Sequence, residues 1–411
     1  MFDYMNMDYE KNLREGFVVC NGCPENLIES RRIQTYLETN GWHCDGNPAT
    51  ADLIIFNACA LSEERENLSK KIITTIQKRR RTDSQLIVCG CLSKIDPETL
   101  REVYEGPLIG EQELYQLDKI INATSPIEQI HSNQILDRYS FRETGVLKNI
   151  AGLVMRSLGW LYINSGSKIN LRRNDPHIFY IQTSTGCLGN CTYCAIRNAR
   201  GKIKSKPINK IMLEFKDGLR RGFQEFSLLG TDLGPQGRDL GYNLVDLLQE
   251  MVKEKGEYRI GLRNVHPYFL KLMLNDLEPI LYTGKIWYMG IAAESGSNRI
   301  LNLMKRNYAR EDYQECIQRV KKANPSLKVR TQMMVGFPTE TEHDFIESIR
   351  LLDQVDLDFI EVYKYSPRPN TVAKAMKGQI SNRIAQFRLY RMLAKAQSLL
   401  LLNTLKHKLK S

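Results

Sequence analysis

The amino-acid sequence predicts an α/β protein in which an N-terminal doubly wound parallel-sheet domain is followed by a partial (β/α)6 barrel. The first observation is a repeated unit in residues 1–125, where an apolar β-rich run is followed by a turn and a helical pattern. The second is a longer series of the same kind in residues 176–380. Continuous runs of Val, Ile and Leu between helices are typical of parallel strands buried on both faces.

The first domain contains four strand-like runs. Three of them lead into cysteine-containing turns, FVVCNGC, DLIIFNAC and QLIVCGC, and the fourth is PLIG. Helical patterns follow at residues 24–40, 62–81, 97–104 and 111–122. Two parallel strands start at the same end of the sheet, so the chain must return to that end between them, and a helix usually makes this crossover. We therefore expect an open α/β sheet.

The second series follows a linker at residues 126–175, which contains one apolar helical pattern at 146–162. Six strand-like runs then occur: HIFYIQT, EFSLLG, YRIGL, IWYMGIA, KVRTQMMVG and DFIEVYKY. Six βα units with right-handed crossovers close most of a parallel barrel. The last segment of the chain, residues 381–411, is basic, and a helix is predicted in it at about 382–408.

The composition excludes several classes of protein. The 411 residues are 42% hydrophobic and 26% charged, which is typical of globular domains and not of disordered, collagen-like or coiled-coil chains. The longest apolar run, at residues 399–402, is far shorter than the roughly 20 residues of a membrane helix, and the acidic start lacks a secretory pattern. We expect a cytoplasmic protein without a membrane partner.

The positive charge is concentrated in two regions. Residues 131–220 contain 15 basic and 5 acidic side chains, and residues 381–411 contain seven Lys or Arg and no acid. Such patches bind phosphate backbones or an acidic polypeptide. The alternative interpretation is two solvated basic surfaces.

Three cysteines lie on one short segment after the first predicted barrel strand. Cys187, Cys191 and Cys194 have the spacing C-x3-C-x2-C within TSTGCLGNCTYCAIRNARG. Three thiolates on one loop can hold three corners of a cubane iron–sulfur cluster and leave the fourth iron open to a ligand. Structural zinc is the alternative, but it takes four ligands and the loop offers three.

A second set of cysteines follows three different strands of the first domain. Cys23, Cys59 and Cys91 lie in GCPEN, NACAL and GCLSK. The carboxyl ends of parallel strands share one edge of the sheet, so we expect these thiols to converge on a second cluster. The alternative is three buried core cysteines. Cys20 and Cys89 lie within the predicted strands and are expected in the core.

Several further motifs occur in a fixed order along the chain: GCPEN, ADLIIFNAC and IVCGC in the first domain, and ESGS with LMKRNY, VGFPTETEHDF and YSPRPNT in the barrel. With the two cysteine sets, they resemble the methylthiotransferase family of radical S-adenosylmethionine enzymes over nearly all of the chain. The run from LRRNDP through the barrel cysteines is most similar to the archaeal and eukaryotic branch that modifies threonylcarbamoyladenosine beside the tRNA anticodon. The chain stops where family members normally continue into a TRAM domain.

The resemblance implies a radical S-adenosylmethionine barrel and replacement of an unactivated C–H bond by C–SCH3. It implies two [4Fe-4S] clusters, one on each cysteine set, with S-adenosylmethionine as both methyl donor and radical source. Barrel sites lie at the carboxyl ends of strands, where a turn or loop-capping role is the alternative to a cofactor contact. The expected S-adenosylmethionine contacts are Tyr193, Thr231, Asp232, Glu294, Ser295 and Gly336.

The substrate is less well defined by the sequence. Arg200 and Arg368 are expected to contact a substrate carboxylate or phosphate, with loop salt bridges as the alternative. Without a TRAM domain we favour a peptide or protein side chain, and tRNA carrying a hypermodified adenosine is the alternative. A non-catalytic iron–sulfur binding protein is a remote third hypothesis. An electron donor such as flavodoxin or ferredoxin is an expected partner, and the modified atom, the sulfur source and the oligomeric state are not determined.

Overall fold

A computed structural model of the chain describes residues 14–44, 47–136 and 177–408, with side chains described to residue 401. The described residues divide into two compact units. Unit 1 contains 14–136, 178–264 and 366–376, and unit 2 contains residue 177, 265–365 and 377–408. The helix predicted at 146–162 lies outside the described residues.

The strands are short and follow the predicted apolar runs. They are β1 (Arg14–Cys20), β2 (Trp42–His43), β3 (Leu53–Asn57), β4 (Gln85–Cys89), β5 (Leu108–Ile109), β6 (Ile178–Gln182), β7 (Ser184–Thr185), β8 (Lys204–Ser205), β9 (Glu225–Leu229), β10 (Arg259–Leu262), β11 (Ile286–Gly290), β12 (Lys328–Val335) and β13 (Phe359–Lys364). Each of the six barrel runs predicted from the sequence contains one of these strands.

The helices alternate with the strands in both units. They are α1 (Pro24–Thr39), α2 (Glu63–Arg79), α3 (Leu92–Ile95), α4 (Pro97–Arg101), α5 (Gln116–Ile121), α6 (Ile196–Arg200), α7 (Ile208–Arg220), α8 (Leu244–Lys253), α9 (Pro267–Leu281), α10 (Asn298–Leu303), α11 (Arg310–Ala323), α12 (Glu342–Gln354), α13 (Val372–Ala375) and α14 (Asn382–Lys408). None of the helices within the described ranges is both long and apolar enough to cross a membrane.

The first domain contains a five-stranded parallel sheet with the order β2-β1-β3-β4-β5. This order confirms the predicted doubly wound sheet, and its direction of winding reverses between β1 and β3. Ligands of such sheets bind outside the carboxyl ends of the strands at this reversal. The two-residue strand β2 was not predicted because it does not lie in an apolar run.

Buried side chains from β1, β3 and β4 form the core of the first domain. Val18, Ile55 and Ile87 pack in one cluster with Tyr36 of α1 and Leu117 of α5. All five side chains are at least 92% buried. The cluster holds the three central strands, so the positions at which they end are set by a packed interior.

The first domain contains one helix that was not predicted and one predicted helix that is divided. The helical pattern at 97–104 becomes α4, which begins at Pro97 and is capped by the Asp96 side chain accepting from the Thr99 amide at 3.3 Å, and the unpredicted α3 precedes it. The pattern at 111–122 becomes a 3-10 turn and α5, which ends at Asn122 in the left-handed conformation. These caps were not predicted from periodicity.

The barrel strands are parallel within each unit. In unit 1, β9 pairs with both β6 and β10. In unit 2, β12 pairs with both β11 and β13. Two short strands were not predicted: β7 and β8 pair antiparallel in unit 1 and enclose the loop that carries the barrel cysteines.

Candidate functional site

The barrel cysteines lie on a loop that its own backbone holds in a tight turn. The pairing of β7 with β8 closes the loop at its base. Within it, the Cys187 amide donates to the Gly201 carbonyl at 3.3 Å and the Cys194 amide donates to the Cys191 carbonyl at 3.1 Å. The Gly189 amide donates to the Cys187 Sγ at 3.1 Å. Amide hydrogen bonds to sulfur of this kind tune iron–sulfur clusters.

The electrostatics of this loop show that its three thiols lie near one another. Burial, together with the negative charge of Asp232 and the neighbouring thiols of Cys191 and Cys194, raises the pKa of the Cys187 thiol to about 12. Tyr193, between the last two cysteines, is half-buried. The negative charges of Asp232 and the thiolates repel one another. A bound iron cation would offset this repulsion, because iron binds cysteine as the thiolate.

Polar atoms without a protein partner occur at the ends of the neighbouring strands. The Thr231 and Ser184 hydroxyls and the Gln182 side-chain amide nitrogen are buried and have no hydrogen-bond partner among the residues that the structure describes. Leaving such a group unpaired costs about 1–3 kcal/mol, so native structures usually pair it. Gln182 ends β6, Ser184 follows β6, and Thr231 follows β9, as Asp232 does; these atoms fit a polar cofactor such as S-adenosylmethionine.

Three other predicted cofactor contacts belong to unit 2 and have local structural roles there. The backbone of Glu294 bridges to β12, and its φ is +61°. The Ser295 and Ser348 hydroxyl oxygens are 3.2 Å apart. The Gly336 amide donates to Glu340 Oε2 at 2.8 Å. The expected contacts of Glu294, Ser295 and Gly336 with S-adenosylmethionine stay predictions.

The first-domain cysteines converge at the carboxyl edge of the sheet. Cys23 follows β1, Cys59 follows β3 and Cys91 follows β4. The Cys23 thiol donates to Asn26 Oδ1 at 3.3 Å, and the Cys91 thiol reaches the same oxygen at 3.9 Å. Burial raises the pKa of the Cys23 thiol, and Cys59 and Cys91 contribute to the increase. The three thiols are therefore neighbours in the folded domain.

Asparagines position the turns that carry these cysteines. The Asn26 side-chain amide donates to Asn57 Oδ1 at 2.9 Å, and the Asn57 side-chain amide donates to the Asn26 backbone carbonyl at 3.1 Å. Asn21 Oδ1 accepts from the Cys59 amide at 2.9 Å. The turn before Cys91 passes close to Asn57 at Gly90, which has a φ of +88°. Sequence analysis missed the asparagines, although each lies beside a predicted cysteine turn.

The openness of both cysteine sets argues against a single zinc ion. Zinc binds sulfur at about 2.3 Å, so two sulfurs on one zinc lie at most about 4.6 Å apart. Within the described ranges, the one group of three ligating atoms all within 4.8 Å of one another is formed by His343, Asp344 and Glu347. Neither cysteine set is that compact. Each offers three thiols, which is the number of protein ligands that leaves one iron of a cubane cluster open.

Cys20 and Cys89 occupy positions inside the sheet. Cys20 is the last residue of β1 and Cys89 the last of β4, and both are at least 99% buried. The Gly22 amide donates to the Cys20 Sγ at 3.2 Å. These positions agree with the core role expected for them.

Both arginines predicted to contact substrate form ion pairs within unit 1. The Arg200 Nε lies 3.0 Å from Glu111 Oε2, and its Nη2 donates to Asn26 Oδ1 at 2.6 Å. The Arg368 guanidinium pairs with Glu66 in a buried contact. The substrate contacts of Arg200 and Arg368 stay predictions, but Arg200 also belongs to the surroundings of the first-domain cysteines.

Comparison with known proteins relates both halves of the chain to described families. Residues 181–352 match the radical SAM superfamily, and residues 16–108 match the uncharacterized protein family UPF0004. A probable threonylcarbamoyladenosine tRNA methylthiotransferase from Pyrococcus abyssi is 29% identical over 359 residues, covering 87% of this chain and 78% of that protein. A tRNA-2-methylthio-N(6)-dimethylallyladenosine synthase from Aquifex aeolicus is 30% identical over 400 residues, covering 93% and 83%.

A solved structure shares the fold. The radical S-adenosylmethionine methyltransferase TsrM from Kitasatospora setae, with cobalamin and a [4Fe-4S] cluster bound, superposes with a TM-score of 0.57 over 88% of this chain and 77% of that one. Its sequence is 15% identical, so the likeness concerns the fold alone. The similarity to the Aquifex aeolicus protein extends through both domains at an identity that shows common family membership. The chain therefore belongs to the methylthiotransferase family of radical S-adenosylmethionine enzymes.

Proposed function

We propose that this S-adenosylmethionine-dependent methylthiotransferase modifies a hypermodified adenosine of tRNA next to the anticodon. The observation that carries the proposal is the similarity, over most of the chain, to proteins named for methylthiolation of tRNA. These relatives support the tRNA alternative better than the peptide or protein substrate favoured from the sequence. One is named for threonylcarbamoyladenosine and the other for dimethylallyladenosine, at nearly equal identity, so the experiment must separate these two substrates.

The cofactors of this enzyme are S-adenosylmethionine and two [4Fe-4S] clusters. When bound, S-adenosylmethionine supplies a radical that removes hydrogen from the substrate and a methyl group for the transferred sulfur. In our proposal each cysteine set supplies three thiolate ligands to one cluster, so each cluster keeps one iron open. The ligands are Cys187, Cys191 and Cys194 for the barrel cluster, and Cys23, Cys59 and Cys91 for the first-domain cluster.

Thr231 and Asp232 are proposed to bind the polar part of S-adenosylmethionine. The Thr231 hydroxyl is buried without a partner among the described side chains, and Asp232 is 94% buried with one oxygen accepting from the Gly234 amide. Asp232 also acts on the Cys187 thiol, which connects this turn electrostatically with the cysteine loop. A carboxylate and a hydroxyl in this position suit the charged amino group and hydroxyls of the cofactor.

The C-terminal helix α14 presents aromatic side chains that suit RNA. Phe387 and Tyr390 are 61% and 63% exposed, and RNA bases stack on such rings at about 1–3 kcal/mol each. Three cations of this helix are already paired within unit 2: Arg388 with Glu340, Arg391 with Glu342 and Lys395 with Asp353. We therefore expect a weaker salt dependence of RNA binding than the charge of residues 381–411 predicts.

The proposal is tested by assaying tRNA nucleosides. Anaerobically reconstituted enzyme, S-adenosylmethionine and a flavodoxin or ferredoxin reducing system are incubated with tRNA from a deletion strain, and methylthio-adenosine is measured by mass spectrometry. The matched control is the variant with Cys187, Cys191 and Cys194 replaced by Ala. Product that depends on the active enzyme supports the proposal. No product, together with an unchanged nucleoside profile in the deletion strain, contradicts it and favours a polypeptide substrate.

Two further tRNA preparations identify the adenosine. One lacks the threonylcarbamoyl group and the other lacks the dimethylallyl group. A substrate requirement for one of these groups should abolish product with the corresponding tRNA and leave product with the other. Product formation on both preparations would show that neither substituent by itself is required.

A further inference from the structure

Arg200 connects the loop of the barrel cysteines with the cysteines of the first domain. It ends α6, the short helix that begins two residues after Cys194. Its side chain is only 4% exposed. A buried guanidinium needs partners, because removing a charge from water costs several kcal/mol unless it is paired and hydrogen-bonded. The partners of the Arg200 guanidinium therefore indicate its role.

The guanidinium of Arg200 points two donors at two residues of the first domain. Nε lies 3.0 Å from Glu111 Oε2, and Nη2 donates to Asn26 Oδ1 at 2.6 Å. The same Asn26 oxygen is the atom that the Cys23 and Cys91 thiols approach. Nε of the guanidinium is therefore paired with a carboxylate, and Nη2 lies near the first-domain cysteines.

The backbone around Arg200 is held from both sides. The Arg200 carbonyl accepts from Gln112 Nε2 at 2.5 Å, and the next carbonyl, of Gly201, accepts from the Cys187 amide at 3.3 Å. Glu111 and Gln112 are consecutive, so one turn of the first domain holds both the side chain and the backbone of Arg200. Neither group can shift without loss of a hydrogen bond.

The charges around Arg200 change when the cysteines bind iron. Its guanidinium already acts on the Cys23, Cys59 and Cys91 thiols, and Glu111 is the strongest negative neighbour of the guanidinium. Cysteine binds iron as the thiolate, so ligation places three thiolates and a cationic iron–sulfur core beside one fixed positive charge. Nearby charge and hydrogen bonds to the sulfurs set the reduction potential of an iron–sulfur cluster.

We propose that Arg200 is a positioning residue of the first-domain cluster, whose fixed positive charge raises the reduction potential of that cluster while Glu111 opposes it. The inference rests on the proposed assignment of Cys23, Cys59 and Cys91 as ligands. Reduction adds negative charge to a cluster, and a neighbouring cation stabilises that state more than the oxidised state. Removing the cation must lower the potential, and removing the opposing carboxylate must raise it.

The test uses the full chain with Cys187, Cys191 and Cys194 replaced by Ala, so that the first-domain cluster is the one observed. Into this background we introduce Arg200→Gln, Arg200→Lys or Glu111→Gln. The reduced cluster is followed by electron paramagnetic resonance during a dithionite titration with redox mediators, alongside iron and sulfide analysis. The matched control is Arg197→Gln, three residues earlier on α6, which removes an exposed guanidinium that donates to the Gly189 carbonyl of the barrel loop.

We expect Arg200→Gln to lower the ratio of reduced to oxidised cluster at least tenfold at a fixed potential, which is about 59 mV for one electron. Arg200→Lys keeps the charge but loses the two-armed contact, so its shift should be smaller. Glu111→Gln should shift the ratio upward, and Arg197→Gln should leave it unchanged. An unchanged ratio in Arg200→Gln, or a downward shift in Glu111→Gln, overturns the proposal. If Arg200→Gln does not retain iron, the Glu111→Gln titration tests the proposal instead.

The result is separable from the proposed function. The titration contains no substrate, so a failure of tRNA as substrate does not affect it. Absence of iron from the background variant itself, before any change at Arg200, would contradict the assignment of Cys23, Cys59 and Cys91 as ligands. With iron present in the background, the shifts report on Arg200 and Glu111 alone.

Discussion

Cys187, Cys191 and Cys194 lie within eight consecutive residues, whereas Cys23 and Cys59 are 36 residues apart and Cys91 follows after another 32. Both sets bring three thiols together in unit 1. The first does so through a local turn closed by two short strands, and the second through the packing of three strands in one sheet. The same donor set can therefore depend on local backbone in one place and on the whole domain in another.

The largest expected effect comes from the local set. Replacing Cys187, Cys191 and Cys194 with Ala should abolish 5′-deoxyadenosine formation, because no open iron is left to bind S-adenosylmethionine in the barrel. Iron and sulfide should fall from about eight of each per chain to about four. Chemical analysis after anaerobic reconstitution and chromatography of the nucleoside check both results. Residual 5′-deoxyadenosine in this variant would show that another site generates the radical.

The complementary variant removes the dispersed set. With Cys23, Cys59 and Cys91 replaced by Ala, about four irons should remain, and cleavage of S-adenosylmethionine should continue while methylthio transfer is lost. We propose a division of roles as the reason, in which the barrel cluster generates the radical and the first-domain cluster delivers the sulfur. Both activities are measured on one reconstituted sample. Loss of both in a variant that circular dichroism shows to be folded would contradict the division.

A pair of glycine variants compares the constraints on the two sets. A Cβ on Gly90 would lie 2.1 Å from Asn57 Oδ1, and its positive φ adds strain, so Gly90→Ala should destabilise the protein by about 2 kcal/mol or more and release first-domain iron. A Cβ on Gly189 would meet the Cys187 Sγ at 3.2 Å, a contact that a small side-chain movement relieves. Gly189→Ala should therefore retain more iron.

Urea unfolding of reconstituted protein and iron analysis measure this difference. Equal losses of iron from the two variants would show that the barrel loop is as tightly constrained as the sheet edge, and the proposed contrast between local and dispersed assembly would then be wrong.

The smallest effect is expected at the core cysteines. Cys20→Ala and Cys89→Ala should each retain both clusters and about eight irons, because these side chains lie within β1 and β4. Each substitution removes a buried sulfur and should cost about 1 kcal/mol of unfolding free energy. Iron analysis and urea unfolding provide the measurements. A loss of about four irons from either variant would make that cysteine a ligand.

Much of the fold was predictable because the strands are apolar runs with regular spacing. The six barrel strands, β3 and β4 lie within the predicted runs, β1 begins three residues before its run, and α14 has the predicted limits. The sequence pattern did not predict β2, β7, β8 or the short helix α3, or the division of the 111–122 pattern into a 3-10 turn and α5. These three strands lie outside the apolar runs, and their hydrogen bonds depend on which neighbours the fold supplies.

The charged C-terminal helix shows a different limit of sequence analysis. Counting charges predicted a strongly basic surface in residues 381–411. In the structure, Arg388, Arg391 and Lys395 are paired with carboxylates of unit 2, while Phe387 and Tyr390 are exposed. Composition reports the number of charges, but their availability depends on neighbours that are distant in sequence.

The sequence by itself determined the spacing of the barrel cysteines and the order of strands and helices, because these follow from short-range rules of loop length and periodicity. Only the tertiary structure decided that Asn26 lies between Cys23 and Cys91, and that Arg200 reaches this asparagine across 174 positions of sequence. Contacts of this kind have no local signature. They exist because a packed sheet fixes where its strands end, and because a buried guanidinium must find its partners inside the fold.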